Sequence, residues 1–130
     1  MRRRSPEPRG VLSLRTIAMR ADANQVDEMF VGWVMYLMDL AVGAAVAPHA
    51  KGHIATATVS NLRFVQTVRV GDVVCVYTDI TKTGQTSIAV DVEVYILRQS
   101  QGDLIRVTAA EFVVVAVDDH RMPRLLTAAA

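Results

Sequence analysis

Cysteine is almost absent from this chain of 130 residues, in which Cys75 stands alone. A lone thiol excludes an intrachain disulfide, and a domain without disulfides is typical of a reducing compartment, so the sequence predicts a cytoplasmic protein. The histidines are also few and scattered, at His49, His53 and His120. They form no Cys/His cluster with the spacing of metal ligands, so the sequence predicts no metal site.

Excess charge is lacking as well, since the formal net charge is only +1. Four arginines and one glutamate fall in the first ten residues: Arg2, Arg3, Arg4 and Arg9, with Glu7. The rest of the chain is slightly acidic, which argues against a nucleic-acid interface. Residues 1–10 also hold two prolines and no apolar periodicity. The sequence therefore predicts a disordered tail over 1–10 and a single domain over 11–130.

A long uninterrupted hydrophobic run is missing too. Residues 11–19, which follow the arginines, are broken by polar side chains, so no secretion signal is expected. The apolar stretch over residues 29–47 carries one charge, Asp39, near its centre. Its length is marginal for a bilayer, and a charge at mid-membrane is costly. We therefore predict a buried core helix and no membrane span.

The predicted helix follows an acidic, polar segment at residues 21–28, which offers N-cap candidates, and it is expected to end at Pro48. Helical spacing places Gly32, Tyr36, Asp39 and Gly43 on one stripe. Two glycines on the stripe would let another backbone approach closely. A buried lone carboxylate costs several kcal/mol or shifts its pKa, so we expect Asp39 to face a tight contact or a ligand groove, with a partner, a function or both.

The remaining segments have the alternation of β-strands. Strands are predicted at residues 11–19, 55–64, 73–81, 87–97 and 104–117, with a bulge near Ser60-Asn61 where the apolar phase slips. Turn signals at residues 82–85 and 100–103 predict hairpins, and short turns imply antiparallel pairing. The sequence thus predicts an α+β fold in which a curled antiparallel sheet of about five strands wraps one long helix.

Five stretches carry a family resemblance: LRTIAM (14–19), FVGWVMYLMD (30–39), VGDVVCVY (70–77), SIAVDVEV (87–94) and FVVVAVD (112–118). In this order they resemble the YciA-type acyl-CoA thioesterases of the hotdog-fold superfamily. The resemblance implies hydrolysis of acyl-CoA thioesters to free acid and coenzyme A. It also implies a hotdog fold, a site between two subunits, and a homodimer at minimum, with hexamers built as trimers of dimers common in the family. Coenzyme A enters as part of the substrate, and no other cofactor is implied.

The resemblance also implies roles for particular residues. Asp39 matches the family's catalytic acid, a general base or nucleophile. Backbone N–H groups near Gly32 match those that polarise the thioester carbonyl. Asn24 matches an asparagine of the loop before the helix, where an ordinary loop or capping role is the alternative. The four residues matching the coenzyme A contact are Gly84, Gln85, Thr86 and Ser87.

Several positions depart from the family pattern. Val26-Asp27 replaces an Asn-Gly pair, Val31 replaces a glycine, and Gln85 replaces an arginine that would pair with phosphate. These departures leave open an alternative function, a non-catalytic hotdog domain that binds acyl-CoA or a protein partner. Asp39 would then be paired across an interface or would cap a partner's backbone. Acyl dehydration is disfavoured because no histidine lies in the loop before the helix.

Overall fold

The computed structural model describes residues 7–98 and 102–126. Within them, one long α-helix lies against a five-stranded antiparallel sheet, which confirms the predicted α+β hotdog architecture. The elements are β1 (Val11–Ile17), a 3-10 turn (Arg20–Asp22), α1 (Val31–Ala50), β2 (Ile54–Phe64), β3 (Val73–Thr83), β4 (Ser87–Leu97) and β5 (Leu104–Ala116).

The sheet has the order β1-β3-β4-β5-β2, and every neighbouring pair is antiparallel. The two hairpins β3–β4 and β4–β5 form its centre. The strands nearest the N-terminus, β1 and β2, are added at opposite edges. Both edges leave backbone groups without a strand partner in the described chain. Such edges are available for pairing with another copy of the protein.

The core lies between the helix and the inner face of the sheet. The alternation predicted for β4 is confirmed, because its five inward-facing aliphatic side chains are all buried: Ile88, Val90, Val92, Val94 and Ile96. From the helix side, Val34, Met38 and Val42 pack into the same cluster. Each fully buried side chain of this kind stabilises the fold by about 1.5–3 kcal/mol, so this layer fixes how the helix lies on the sheet.

The helix ends differ from the prediction. It begins at Val31, where Phe30 provides no side-chain cap. Of the acidic segment before it, only the first two residues lie in the 3-10 turn Arg20–Asp22. At the other end, Pro48 lies inside the last turn, and the helix continues to Ala50. A proline this close to the end removes one backbone hydrogen bond but does not end the helix. The helix ends where Lys51 turns left-handed, at φ 50°, and donates its N–H to Ala47.

The sheet covers only one side of the helix. Seven of its 20 residues are buried, and helix side chains pack with those of the sheet in one core cluster. An exposed side of the helix remains, formed by Val31, Gly32, Tyr36, Asp39, Leu40, Ala44 and Ala47. By length and hydropathy alone the helix could cross a membrane, but a third of its most apolar window is buried in the domain. This packing identifies it as the central helix of the fold.

The strand predictions hold with small changes at the ends. β1 stops at Ile17 and β5 at Ala116, each slightly earlier than predicted. The bulge predicted in β2 is confirmed, since its pairing with β5 shifts between Ser60 and Arg63, and Asn61 is left-handed. The second hairpin turn lies partly at residues 99–101, outside the described residues.

The predicted tail overlaps the described chain at residues 7–10, whereas residues 1–6 lie outside it. The Arg9 side chain and backbone N–H both donate to the Glu93 carboxylate, at 3.3 and 3.2 Å. Gly10 has φ 90°, and a Cβ there would meet the Thr78 carbonyl oxygen at 2.1 Å, so glycine is required. Arg9 and Gly10, within the predicted tail, therefore contact the sheet.

Candidate active site

Asp39 lies at the middle of α1, on its exposed side. The expectation that its carboxylate is buried is wrong for a single chain, because the sheet covers the opposite side of the helix. Among the described residues the carboxylate has one hydrogen-bond partner, the hydroxyl of Thr56, which donates to Oδ1 at 2.6 Å. A short bond to a charged acceptor is among the stronger hydrogen bonds in proteins.

Thr56 is a site residue that sequence reasoning missed. It stands in the Ala-Thr alternation of β2, where a threonine looks like a solvent-facing residue. In the sheet, however, Thr56 pairs with Val114, whose side chain is buried, so Thr56 lies on the helix-facing side at the sheet edge. Its hydroxyl occupies one oxygen of Asp39 and leaves Oδ2 without a partner among residues 7–98 and 102–126.

The start of α1 has unused hydrogen-bond donors. Trp33 and Val34 donate to the Phe30 carbonyl, whereas the N–H groups of Val31 and Gly32 donate to no acceptor in the described part of the chain. These N–H groups carry the partial positive charge of the helix terminus. A Cβ added at Gly32 would meet nothing within 4 Å, so the space around it is open.

Asn24 organises the loop before the helix. Its side-chain oxygen accepts hydrogen bonds from the N–H groups of Val26 and Glu28, each at 2.9 Å. Between them, Asp27 adopts a left-handed backbone, φ 61°, at the position that matches the family's glycine. Aspartate tolerates this conformation better than most residues. The loop therefore keeps a glycine-like turn although the glycine is replaced.

The predicted coenzyme A contact, Gly84 to Ser87, forms the turn between β3 and β4. Three backbone hydrogen bonds hold it, one within the turn and two from other segments. Gly84 donates its N–H to the Ser87 carbonyl at 2.7 Å, and the Thr86 carbonyl accepts from Ala116 at 2.9 Å. The Gln85 carbonyl accepts from the N–H of Leu126, near the C-terminus, at 2.8 Å.

One chain does not bring these parts together. Seven residues separate Gly32 from Asp39, which is about 10 Å along a helix axis, too far for both to act on one carbonyl group. The Gly84–Ser87 turn lies toward the C-terminal end of the helix, away from Gly32. In the sheet, Ile88 pairs with Val114, and Val114 pairs with Thr56 near the start of β2, the strand that follows the helix. Asp39 and Thr56 form one part of the site, and the Asn24 loop and helix start form another.

A groove of about 440 Å³ opens beside the helix start. Its lining combines the end of β2 and the following loop with the first helical turn: Glu28, Met29, Val31, Val34, Phe64, Val65, Gln66, Thr67 and Val68. Apolar side chains line part of the groove, and Glu28, Gln66 and Thr67 bring polar groups to it. No group of three or more His, Cys, Asp or Glu side chains is placed to hold a metal ion among the residues described.

Comparison with known proteins shows the family. Residues 28–102 match the Thioesterase superfamily. The chain belongs to this superfamily. The acyl-CoA thioester hydrolase YciA of Salmonella typhimurium is 39% identical over 122 residues, which cover 92% of this chain and 92% of that protein. An uncharacterized acyl-CoA thioester hydrolase of Buchnera aphidicola is 38% identical over 126 residues, covering 95% of this thioesterase and 93% of the relative.

Solved structures give the same result. The hexameric thioesterase y2039 from Yersinia pestis superposes with a TM-score of 0.87 at 41% identity, covering 95% of this chain and all of that one (100%). HI0827, a hexameric broad specificity acyl-coenzyme A thioesterase, gives a TM-score of 0.87 at 36% identity, covering 94% and 84% of the two chains. The predicted resemblance to YciA-type enzymes, the hotdog fold and the enzyme class of acyl-CoA thioester hydrolase are thereby confirmed for this thioesterase.

Proposed function

We propose that this thioesterase hydrolyses acyl-CoA to the free acid and coenzyme A, using Asp39 in a site formed by two copies of the chain. The observation that carries the proposal is the position of Asp39. It is the sole charged residue on the exposed, otherwise apolar or small-residue side of the helix, and Thr56 orients it. Membership of a thioester hydrolase family supplies the reaction class.

The carboxylate can act in two ways. As a general base, Oδ2 of Asp39 takes a proton from water while the water oxygen attacks the thioester carbonyl carbon. The C–S bond then breaks, and the proton passes to the departing sulfur. As a nucleophile, the same oxygen attacks the carbonyl directly, expels the thiolate and forms a mixed anhydride, which water cleaves. In both routes Thr56 holds Oδ1 and leaves Oδ2 free to react.

The carbonyl oxygen of the substrate gains negative charge in either route. The N–H groups of Val31 and Gly32 suit this charge, because they lie at the positive end of the helix and no side chain in the described part of the chain caps them. Asn24 acts here by holding the preceding loop, since its side-chain oxygen is used by two backbone N–H groups. Gly32 contributes its N–H and the open space above it.

A shared site follows from the separation of these parts. Asp39 of one copy and the helix start of another would face one carbonyl if two exposed helix sides packed together. That side presents Tyr36 and Leu40, which are 58% and 45% exposed in the single chain. Removing such side chains from water favours association. A homodimer is therefore the proposed minimum, and the hexamers formed by y2039 and HI0827 suggest a trimer of dimers.

The turn at Gly84–Ser87 is the proposed contact for the coenzyme A part of the substrate. Gln85 brings no charge there, so recognition would depend on backbone groups and the hydroxyls of Thr86 and Ser87. We propose no metal and no cofactor besides the coenzyme A of the substrate. The proposed location is the cytoplasm, where Cys75 would stay reduced, and the described structure holds this thiol free and buried.

The decisive experiment measures thiol release from short, medium and long acyl-CoAs by the wild-type protein and by Asp39→Asn. We expect kcat to fall by about 10²- to 10⁴-fold in the variant, the usual contribution of a general base. Asp22→Asn removes an exposed carboxylate from the 3-10 turn and is the matched control, with unchanged kcat. Full activity of Asp39→Asn would overturn its assigned role.

The alternative function, binding without turnover, has specific support in the changed residues Val26, Asp27 and Gln85. It predicts calorimetric binding of coenzyme A or acyl-CoA with no thiol release for any chain length. The loop geometry favours the enzyme, because Asp27 adopts a left-handed backbone at the position that matches a glycine and Asn24 holds the loop through two hydrogen bonds. Efficient turnover of any acyl-CoA would exclude the alternative.

A further inference from the structure

The last described segment, residues 117–126, folds back over one end of the domain, and we call it the C-terminal clasp. Val117 pairs with Pro123, and Arg124 donates its backbone N–H to the Ala116 carbonyl at 2.9 Å. Leu126 is partly buried and packs against the core cluster. The clasp therefore has a defined place on the domain.

Arg124 fixes the clasp through three backbone carbonyls. Its Nε donates to Val117 at 2.9 Å, and one terminal nitrogen donates to Ala50 at 2.8 Å and to His53 at 3.2 Å. The carbonyl of Ala50 is one of those that a helix end leaves unsatisfied. One guanidinium thus joins the clasp to the end of α1 and to the start of β2.

This arrangement leaves no room for another side chain. A Cβ at Gly52, whose φ is 155°, would lie 2.7 Å from a terminal nitrogen of Arg124. The guanidinium makes no ion pair with a carboxylate among residues 7–98 and 102–126. Its hydrogen bonds are all to backbone carbonyls, which indicates a geometric role.

Two residues beyond Arg124, the clasp reaches the Gly84–Ser87 turn. The N–H of Leu126 donates to the carbonyl of Gln85 at 2.8 Å, at the tip of the turn. The turn thus has a support that depends on the clasp, in addition to its bond with Ala116 in β5. Without the Arg124 guanidinium, the segment that carries Leu126 would lose its side-chain hydrogen bonds to Val117, Ala50 and His53 and would keep only its backbone bonds and the packing of Leu126.

We propose that Arg124 is a positioning residue that holds the coenzyme A-binding turn in its binding shape through the clasp. The inference rests on the proposed function of that turn. It matters here because Gln85 has no charge to attract a phosphate over a distance. Uncharged donors and acceptors bind only when distances and angles are met, so a displaced turn loses its contacts.

The test compares Arg124→Met with Arg121→Met, which removes the same charge from an exposed position of the same clasp. Two substrates with one acyl group are used, acyl-CoA and the acyl thioester of N-acetylcysteamine, which lacks the nucleotide. For Arg124→Met we expect KM for acyl-CoA to rise about tenfold, the kcat for both substrates to stay within about twofold, and the calorimetric Kd for coenzyme A to rise about tenfold. Arg121→Met is expected to match the wild type.

The outcomes separate this inference from the proposed function. A wild-type protein that releases no thiol from either substrate contradicts the proposed function, and the coenzyme A Kd of the two variants still tests Arg124. Equal loss with both substrates, or unchanged KM and Kd, would overturn the positioning role. Arg124→Lys, which keeps donors for the carbonyls, is expected to restore part of the affinity. If Arg124→Met does not fold, Arg124→Gln serves in the same comparison.

Discussion

At the scale of single residues, Thr56 decides which oxygen of Asp39 is available. The hydroxyl donates to Oδ1 at 2.6 Å and so fixes the rotation of the carboxylate. A carboxylate that rotates freely on an exposed helix side would present the reactive oxygen in the right direction only part of the time. Small errors of position are costly to catalysis.

Replacing Thr56 by valine keeps the shape of the side chain and removes the hydroxyl. We expect kcat to fall about tenfold, as expected when one hydrogen bond to a charged group that positions the base is lost. Thr58→Val, on the same strand, is the control, and Thr56→Ser should keep most of the activity. Steady-state thiol release measures all three. Wild-type kcat in Thr56→Val would show that the hydrogen bond does not position Asp39.

Sequence reasoning reached Asp39 and not Thr56 for a physical reason. A single charge in an apolar helix is visible in the sequence itself. The partner of that charge depends on which strand lies beside the helix, and β2 reaches it only through its pairing with β5. The alternating alanines and threonines of β2 predicted a strand, but they did not predict which threonine hydroxyl would contact Asp39.

At the scale of elements, an ion pair joins the turn before β3 to the end of β4. Asp72 is 2% exposed, and both of its oxygens accept hydrogen bonds from Arg98, at 3.0 and 2.9 Å. The Asp72 carboxylate raises the pKa of Arg98 above its ordinary value. Arg98 also donates to the Thr67 carbonyl at 3.0 Å, and Asp72 accepts from the N–H of Arg69 at 2.8 Å.

Arg98→Met is expected to lower the free energy of unfolding by about 3 kcal/mol, because it leaves a buried carboxylate without its cation. Urea unfolding at neutral pH measures the change. Arg63→Met, at an exposed arginine of β2, is the control, with a change within about 0.5 kcal/mol. The double variant Asp72→Asn/Arg98→Met should lose less free energy of unfolding than the two single variants lose together. A loss equal to their sum would contradict coupling between the two side chains.

Elements with regular alternation were predicted closely, as β4 shows, because one buried face is enough to define a strand. The end of the helix was not. Pro48 cannot donate a backbone hydrogen bond, yet in the last turn this costs a single bond, and the helix continues until Lys51 leaves the helical conformation. The sequence shows the position of a proline, but it does not show how far the helix continues beyond it.

At the scale of the whole molecule, the exposed side of the helix has the character of an interface. Tyr36 and Leu40 lie beside Gly32 and Ala44, so the surface is apolar and closely approachable. The apolar composition of the helix predicted that it would be buried, but it did not predict which element or chain would cover each side. The sheet covers one side of the helix, and a second copy of the chain is the proposed cover for the exposed side.

Tyr36→Glu is expected to convert the assembly to smaller species and to abolish most activity, since it places a charge where two apolar surfaces would meet. Light scattering at micromolar concentration measures the mass, alongside thiol release. Met122→Glu is the control, because Met122 is 59% exposed, as Tyr36 is at 58%, but lies in the clasp. A wild-type monomer that is fully active would contradict the shared site.

The pairing of β2 with β5 also has a consequence for the time at which the protein becomes active. β2 is complete at Phe64, but the strand that pairs with it in the described sheet, β5, begins only at Leu104. A chain made from its N-terminus therefore carries Thr56 for some time before the strand that holds it exists. Contacts between distant segments form slowly. Competence for catalysis is accordingly expected to arrive last during biosynthesis, after the central hairpins have folded.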